Sequence, residues 1–301
     1  MLTVTALLTT PDENNCNRPL FAAKDIKPFY LQHCPEIFPQ NNRGMFGSIA
    51  NIFSGPKYDG KHLHSIINEK LGEPRLRSTL TNLRNTDCPW NARLSDICIG
   101  SSAAPTYLPA HRFKNHDREF NLVDGGVAAN NPVIEDNPDF LSIKPMDYQP
   151  MDHYRRFLVI SLGTGSPKLK LYDADMAAKW GTLGWLIHGD STPLVDVFMQ
   201  ASGDMVDIHL SVVFRALRSE ENYLRIQGDT LTAAEASVDI STKENSEKLV
   251  HFGENLLKKP VTWVNLETGQ AEEIKNCGPD ATNEKALIKY GKTCKCTTLL
   301  C

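Results

Sequence analysis

Glu119-Phe-Asn-Leu-Val-Asp124-Gly125-Gly126-Val-Ala-Ala-Asn130-Asn131-Pro132 is the stretch from which the fold of this chain is best inferred. Phe120, Leu122 and Val123 predict a short buried strand that ends at a carboxylate. Two glycines follow Asp124, and glycine adopts backbone angles that are closed to other residues. The pattern places Asp124 at the C-terminal edge of a strand, where open α/β sheets hold their ligands. The same residues also suit an ordinary Asp-Gly turn between two apolar runs.

Two further runs, one on each side, favour the first interpretation. The upstream run is Gly100-Ser-Ser-Ala-Ala-Pro105-Thr-Tyr-Leu-Pro109, whose small residues let backbone segments approach closely. The downstream run, Arg156-Phe-Leu-Val-Ile-Ser-Leu162, has the length of a strand and the continuous apolar character expected of a parallel strand buried on both faces. Gly163-Thr-Gly165 follows it. We predict a turn at the sheet edge there, because the loop lacks the lysine of a P-loop and the third glycine of a dinucleotide site.

Four other segments complete a pattern that covers most of residues 6–262. They are Pro11-Asp-Glu-Asn-Asn15, Arg18-Pro-Leu-Phe-Ala-Ala-Lys-Asp-Ile26, Asn222-Tyr-Leu-Arg-Ile226 and Phe252-Gly-Glu-Asn-Leu-Leu-Lys-Lys-Pro260. Together with the three runs above, they resemble the patatin family of plant lipid acyl hydrolases. The resemblance implies an α/β fold, a patatin-like three-layer sandwich with a mostly parallel central sheet that is incomplete at the N-terminus and after Leu83. It also implies a partial patatin-like domain over residues 1–262 and a tail over 263–301 that is partly helical or disordered.

The resemblance also assigns a catalytic role to the Asp-Gly-Gly motif. In the patatin family, a serine on a Gly-x-Ser-x-Gly elbow attacks the ester carbonyl of a lipid, and the motif aspartate accepts its proton without a histidine. Asp124 matches that proton acceptor, and Gly125 and Gly126 complete the motif. The elbow and the preceding Gly-rich loop, which supplies N–H groups to the oxyanion hole, do not occur in the 301 residues. Residues 2–10 match the helix that directly follows the elbow.

Ser102 is the stand-in nucleophile that the sequence offers. Gly100-Ser-Ser102-Ala-Ala104 resembles a Gly-x-Ser-x-Ala variant of the nucleophile motif. The same run matches a structural Ser-Ala-Ala-Pro segment of the family, which is the preferred interpretation. Gly189-Asp-Ser191-Thr-Pro193 is a second imperfect match, and a cap for the helix that begins at Pro193 explains it better.

Several helices are predicted from apolar residues at spacings of three and four. One runs through residues 59–72, with Asp59 at its N-terminal cap and Gly72 at its C-terminal cap. Ser95 and Asp96 are expected to cap a short helix through Ile99. Ser241-Thr-Lys-Glu244 has the pattern of a capping box. The longest stripe is most simply a core face, although it could also line an acyl-chain channel: Leu194, Val197, Phe198, Ala201, Met205, Ile208, Val212 and Val213.

Composition narrows the class of partner. The net charge of −4 and the absence of a dense basic run argue against nucleic acid. No apolar run approaches the roughly 18 residues that a membrane span requires. The N-terminus does not have the pattern of a signal peptide, and there is no Asn-x-Ser/Thr sequon, so we expect a cytoplasmic protein with peripheral contact to membrane lipids. The eight cysteines show no zinc-type spacing, and neither a metal nor another cofactor is expected.

The expected function follows from the catalytic residues that the sequence contains. Asp124 matches the proton acceptor of the family, whereas the elbow serine that would act as nucleophile does not occur. Removing the serine of the subtilisin triad lowers turnover by about six orders of magnitude. We therefore expect a truncated or degenerate lipid acyl hydrolase with little or no activity of its own. Two alternatives stay open: a non-catalytic protein that binds lipid or acts as a stored reserve, and an active enzyme that uses another serine.

Overall fold

The structure is a computed structural model that describes residues 7–8, 10–12, 15–40, 55–79, 91–127, 158–167, 172–186, 188, 193–268, 271–274 and 281–298. The predictions for most of residues 2–10, for residues 84–90, for Asn130-Asn131-Pro132 and for Gly189 to Thr192 lie outside the described residues. The chain divides into two compact units. The first comprises residues 1–130 and 239–246, and the second comprises residues 131–238 and 247–301.

Among the residues that the structure describes, the first unit contains helices and two antiparallel strand pairs. Its described elements are, in chain order, β1 (Pro11–Asp12), β2 (Asn15–Pro19), α1 (Ala23–Ile37), α2 (Lys61–Leu71), α3 (Leu94–Ser101), β3 (His111–Asn115) and β4 (Arg118–Leu122). Strand β1 pairs with β2, and β3 pairs with β4. The core lies where α2 packs on α3, and it buries Ile67, Leu71, Leu94 and Cys98.

Helix α2 begins and ends near the predicted positions. Asp59 Oδ1 accepts the backbone N–H of Lys61 at 3.0 Å, as a residue near the helix N-terminus was expected to do. Gly60 is the cap residue itself, with a φ of 69° that favours glycine. Gly72 ends the helix with a φ of 54° and a ψ of −131°, so its φ is positive but it does not form the predicted left-handed helical cap.

The predicted cap of α3 is wrong. The cap residue is Arg93, and Ser95 and Asp96 already lie inside the helix. Ser95 is buried against the core, and the carboxylate of Asp96 pairs with His111. A polar residue near a helix start can cap it, but here a tertiary partner binds the Asp96 side chain instead.

A buried carboxylate connects the distant segment 239–246 to the rest of the first unit. Asp239 is almost fully buried, and its Oδ2 accepts a hydrogen bond from the Tyr58 hydroxyl at 2.8 Å and from the Lys57 ammonium. Gln40 Nε2 donates to the Asp239 carbonyl at 2.7 Å. Ser241 donates to the Phe38 carbonyl at 2.7 Å.

The helix that begins at Lys243, within this segment, is capped one residue later than predicted. Its N-terminal donor is the Asn245 N–H, which Thr242 Oγ1 accepts at 3.2 Å. Ser241, the first residue of the predicted capping box, instead uses its hydroxyl in the Phe38 contact. The capping box therefore identified the helix correctly and the capping side chain incorrectly.

The second unit contains the described parallel strands and the longest helix. Its elements are β5 (Val159–Leu162), α4 (Ala174–Ala177), α5 (Thr182–Leu186), α6 (Pro193–Ala216), β6 (Tyr223–Ile226), α7 (Lys243–Lys258, whose first residues belong to the first unit), β7 (Thr262–Val264), β8 (Ala271–Glu273) and α8 (Asn283–Thr298). Strand β5 runs parallel to β6, with Val159 opposite Tyr223. Strands β7 and β8 are antiparallel.

Two expectations about burial in this unit are wrong. Strand β5 is parallel, as predicted, but Ile160 and Leu162 are 40% and 47% exposed, so the strand is not buried on both faces. The long stripe of α6 is not a core face either, because Phe198 and Met205 are 53% and 52% exposed. The helix instead packs through Leu210 and other residues of its opposite face.

The α/β class is confirmed. Among the described residues, the strands form four two-stranded ladders, of which β5–β6 is parallel. In the segment predicted to be a partly helical or disordered tail, α8 covers residues 283–298, and Tyr290 on this helix packs against Leu224, Ile226 and Val261. The boundary between residues 262 and 263 stays a prediction.

Candidate active site

Asp124 is presented by the β3–β4 hairpin of the first unit. The hairpin turns at His116, whose φ is 52°, and Phe113 stacks on Phe120 with ring centroids 4.8 Å apart. Arg112 on β3 binds the Glu119 carboxylate on β4 at 2.7 Å. Because these cross-strand contacts fix the register, the end of β4 and the motif after it have a defined position. Val123 is about half exposed, so the strand is less buried than predicted.

The small residues after α3 hold the Asp124 backbone in place. Asp124 N–H donates to the Ala103 carbonyl at 3.0 Å. Gly100 permits this approach, because a Cβ at that position would lie only 2.6 Å from Leu122 Cδ1. The prediction that the small residues of Ser101-Ser-Ala-Ala-Pro105 let backbone segments approach closely is confirmed at Ala103, and Gly100 contributes to the same approach.

The Asp124 side chain is half buried and uses one of its two oxygens locally. Gly126 N–H donates to Asp124 Oδ1 at 2.8 Å, and Val127 N–H donates to the Asp124 carbonyl at 3.1 Å. These bonds form the short 3₁₀ turn from Gly125 to Val127. No residue in the part of the chain that the structure describes donates a hydrogen bond to Oδ2.

A histidine–aspartate pair connects the hairpin to α3 and was not predicted from the sequence. His111 is directly opposite Leu122 in the ladder, and its Nε2 lies 3.0 Å from Asp96 Oδ1 on α3. Both side chains are largely buried, and the His64 ring lies 5.6 Å from the His111 ring. The contact joins α3 to β3, the strand that pairs with β4 just before Asp124. Asp96 and His111 are 15 residues apart in elements of different type, so no local spacing marked them as partners.

Ser102 precedes Ala103, whose carbonyl accepts the Asp124 N–H, but it does not have the geometry of a nucleophile elbow. It follows the last turn of α3, and its N–H donates to the carbonyls of Cys98 and Ile99 at 3.1 Å. An elbow places its serine between a strand and the N-terminus of a helix. The C-terminal end of a helix presents carbonyl oxygens, which do not stabilise an oxyanion.

The Gly163-Thr-Gly165 segment belongs to the second unit and is an irregular loop at the end of β5, where a turn was predicted. Gly163 N–H donates to the Ile226 carbonyl at 2.8 Å, and Gly165 has a φ of 83°. The Gln227 side chain fills the loop, since its Oε1 accepts the Gly165 N–H at 3.2 Å. This amide occupies the place where a phosphate would have to bind.

The described residues contain no group of three or more His, Cys, Asp or Glu side chains that could hold a metal ion. Within the same residues, no helix is both long and apolar enough to cross a membrane. Cys98 is fully buried in the core of the first unit, where burial raises the pKa of its thiol to about 12. At neutral pH it is therefore a protonated, unreactive packing residue.

Comparison with known proteins shows which family this chain is similar to. The sequence model of the family described as Patatin-like phospholipase matches residues 4–136, a range that includes Asp124 and its two glycines. Patatin-like protein 2 of Arabidopsis thaliana is 48% identical, covering 95% of this chain and 77% of the relative. Patatin-like protein 2 of Oryza sativa subsp. indica is 46% identical over 96% of this chain and 78% of its own length. Patatin-11 of Solanum tuberosum is 40% identical, with coverages of 94% and 77%.

These alignments also bear on the sequence that was expected after Leu83. The match to the Arabidopsis relative extends over 325 positions, whereas this chain has 301 residues. The relative therefore has residues within the aligned span that have no counterpart here, and the position of that gap after Leu83 stays a prediction. With several relatives well above 40% identity over most of its length, the chain belongs to the patatin-like family of lipid acyl hydrolases.

Proposed function

We propose that Asp124 is the general base of a lipid acyl hydrolase site and that the 301-residue chain by itself has little or no activity of this kind. The observation that carries the proposal is the anchoring of the Asp-Gly-Gly turn. Gly126 N–H binds Oδ1 at 2.8 Å, and the Asp124 backbone is fixed to Ala103, so Oδ2 is left to accept a proton.

In the reaction implied by the family, a serine hydroxyl gives its proton to this carboxylate as its oxygen bonds to the carbonyl carbon of the lipid ester. The ester oxygen then leaves with a proton, and water hydrolyses the acyl-enzyme. Asp124 can perform the proton-transfer step, but the 301 residues contain no Gly-x-Ser-x-Gly elbow to supply the nucleophile. Losing oxyanion donors as well costs a further factor of about a hundred or more.

A fluorophosphonate serine probe tests the absence of a nucleophile. We expect no covalent labelling of the 301-residue chain, and an active patatin-like relative serves as the positive control. Ser102→Ala is the matched variant, because it removes the stand-in candidate without changing the Asp124 turn. Labelling that Ser102→Ala abolishes would show that the chain has a nucleophile and would overturn this part of the proposal.

A non-catalytic lipid-binding or storage role is the second candidate. The apolar side chains exposed on α6 favour it, because they offer a surface for acyl chains that needs no catalytic group. A titration with a fluorescent fatty acid separates the two candidates. Saturable binding without ester turnover supports the second, whereas absence of binding eliminates it. A cytoplasmic location with peripheral membrane contact stays a prediction.

A further inference from the structure

Helix α6 has two faces with opposite surroundings. One face packs inside the second unit, where Leu210 and Phe214 are buried against Tyr223 on β6. On the same face, the Asp207 carboxylate binds Arg225 on β6 at 3.1 Å. The helix is therefore attached to the parallel strand pair, and the direction of its opposite face follows from that attachment.

The opposite face is an apolar stripe in contact with solvent, which we call the α6 stripe. Its seven members recur at spacings of one, three and four residues, and all except the small Ala201 are large apolar side chains that are between 38% and 53% exposed: Leu194, Val197, Phe198, Ala201, Met205, Ile208 and Val212. The stripe runs from Leu194 to Val212, which is about 27 Å along the helix axis. At roughly 300 Å², the stripe is comparable to the largest apolar patch on a typical soluble monomer, and such patches are often functional.

We propose that the α6 stripe is a docking surface for a lipid surface of zero net charge, on which α6 lies parallel to the plane with its apolar side chains inserted among the lipid chains. The inference rests on the proposed lipid acyl hydrolase function, because an enzyme of that class must reach ester bonds within a lipid aggregate. A helix with one apolar face and one polar face binds such an interface by burying the apolar face.

The charges on α6 select the type of lipid. The helix carries three aspartates and one arginine but no lysine. Asp204 and Asp196 are exposed, bound to Gln200 and Tyr172 respectively, and add negative charge beside the stripe. Interfacial helices that bind anionic lipid have lysine and arginine on the polar face instead. An anionic surface would repel α6, whereas a zwitterionic or glycolipid surface would not.

The area of the stripe argues against a second copy of the chain as the partner. A stripe about 27 Å long and about 10 Å wide presents roughly 300 Å². A stable protein–protein interface buries about 800 Å² on each partner. A lipid surface has no such minimum area, since it deforms around each inserted side chain.

Co-sedimentation of the 301-residue chain with phosphatidylcholine vesicles tests the proposal. We expect Phe198→Asp to lower the partition coefficient by about tenfold, because it replaces a large inserted side chain with a charge. Ile288→Asp on α8 is the matched control, since Ile288 is equally exposed at 53% in the same unit but lies outside the stripe. The control should bind within about twofold of the parent. Circular dichroism checks that both variants remain folded.

Three results would overturn the proposal. The first is no sedimentation of the parent chain with phosphatidylcholine vesicles. The second is equal loss of binding in the Phe198→Asp and Ile288→Asp variants, which would remove any special role of the stripe. The third is a dimer in vesicle-free solution that Phe198→Asp dissociates, which would identify a second copy as the partner.

Vesicles containing phosphatidylglycerol should bind less protein than vesicles of phosphatidylcholine alone, and stronger binding would contradict the charge argument.

The assay separates this inference from the proposed function, because it involves no turnover. If Asp124 proves not to be the base while the chain binds vesicles through α6, the docking surface stands alone. If Asp124 is the base and the vesicles do not bind, only the docking surface is lost.

Discussion

Helices α2 and α6 have similar apolar periodicity and opposite environments. In α2, Ile66, Ile67 and Leu71 are at most 5% exposed, because α3 covers them with Leu94 and Cys98. In α6, Phe198 and the other members of the stripe are about half exposed, although they recur at the same spacing. Periodicity thus predicts a helix with an apolar face, whereas burial depends on whether another element covers that face.

The comparison also explains why the burial prediction for α6 was wrong. Leu210 and Phe214 lie on the other side of the helix and pack against β6, so the helix has apolar residues on two sides. Two apolar faces in one helix normally indicate that it is buried all round. Here the face that carries Leu210 and Phe214 is interrupted toward the helix N-terminus by polar residues, namely Asp196, Gln200 and Asp204. Only the C-terminal part of that face therefore joins the core.

The largest expected effect distinguishes the two helices directly. Ile67→Ala on α2 should lower the free energy of unfolding by about 4 kcal/mol, because it opens a cavity in a well-packed core. Urea denaturation followed by circular dichroism measures the change. A loss below about 1 kcal/mol would mean that the α2–α3 core is not packed as described.

A smaller decrease in the free energy of unfolding is expected when the contact between α6 and β6 is removed. Arg225→Met should cost about 2 kcal/mol, because it leaves the Asp207 carboxylate without its cation in a site where burial already raises the pKa of Asp207. Arg112→Met is the control, since its salt bridge with Glu119 is exposed and its loss should leave the free energy of unfolding nearly unchanged. Equal losses in both variants would contradict the idea that the Asp207–Arg225 pair anchors α6.

The stability of the first unit should depend on pH through His33. Burial, followed by the nearby His62 charge, lowers the pKa of His33 in the folded chain. Because the unfolded chain keeps a pKa of about 6.5, the free energy of unfolding should be highest above that pH and should decrease as the pH falls toward the folded-state pKa. Thermal melts between pH 8 and pH 5 measure the decrease. His33→Leu should flatten the profile, and an unchanged slope in that variant would assign the pH dependence to other groups.

The smallest effect is expected on the α6 stripe itself. Met205→Gln exchanges a half-exposed side chain for a polar one of similar length and helix propensity, so the free energy of unfolding should change by no more than about 0.5 kcal/mol. The same urea assay used for Ile67→Ala measures it. A loss of 2 kcal/mol or more would show that Met205 is buried in solution and would remove the contrast between the two helices.

Short-range sequence patterns predicted the helices correctly but did not predict which groups their polar side chains bind. The capping signals at Asp96 and Ser241 correctly indicated helix starts, yet both side chains bind distant groups, His111 and the Phe38 carbonyl, instead of their own helix. A side chain near a helix end has several possible partners, and tertiary contacts decide between them. Sequence spacing carries no information about a contact that connects residues about 200 positions apart.

The Asp-Gly-Gly turn of the candidate site could be predicted from the sequence, whereas the contacts that surround it could not. The Asp-Gly-Gly pattern indicated a turn after a strand, and the structure has a 3₁₀ turn at Gly125–Val127 after β4. The strand is one arm of an antiparallel hairpin, however, and His111 on the other arm joins α3 through Asp96. The contact between His111 and Asp96 depends on the pairing register of β3 and β4, which cannot be inferred from the motif alone.

The most direct test of Asp124 as the base uses an active patatin-like relative as host. Residues 100–127 of this chain replace the matching segment, and hydrolysis of a p-nitrophenyl ester is measured with Asp124 and with Asp124→Asn, whose amide oxygen can still accept the Gly126 N–H. We expect the Asp124 graft to be active and the Asn graft to lose about four orders of magnitude in turnover. An Asn graft that turns over the ester as fast as the Asp124 graft would contradict the assignment.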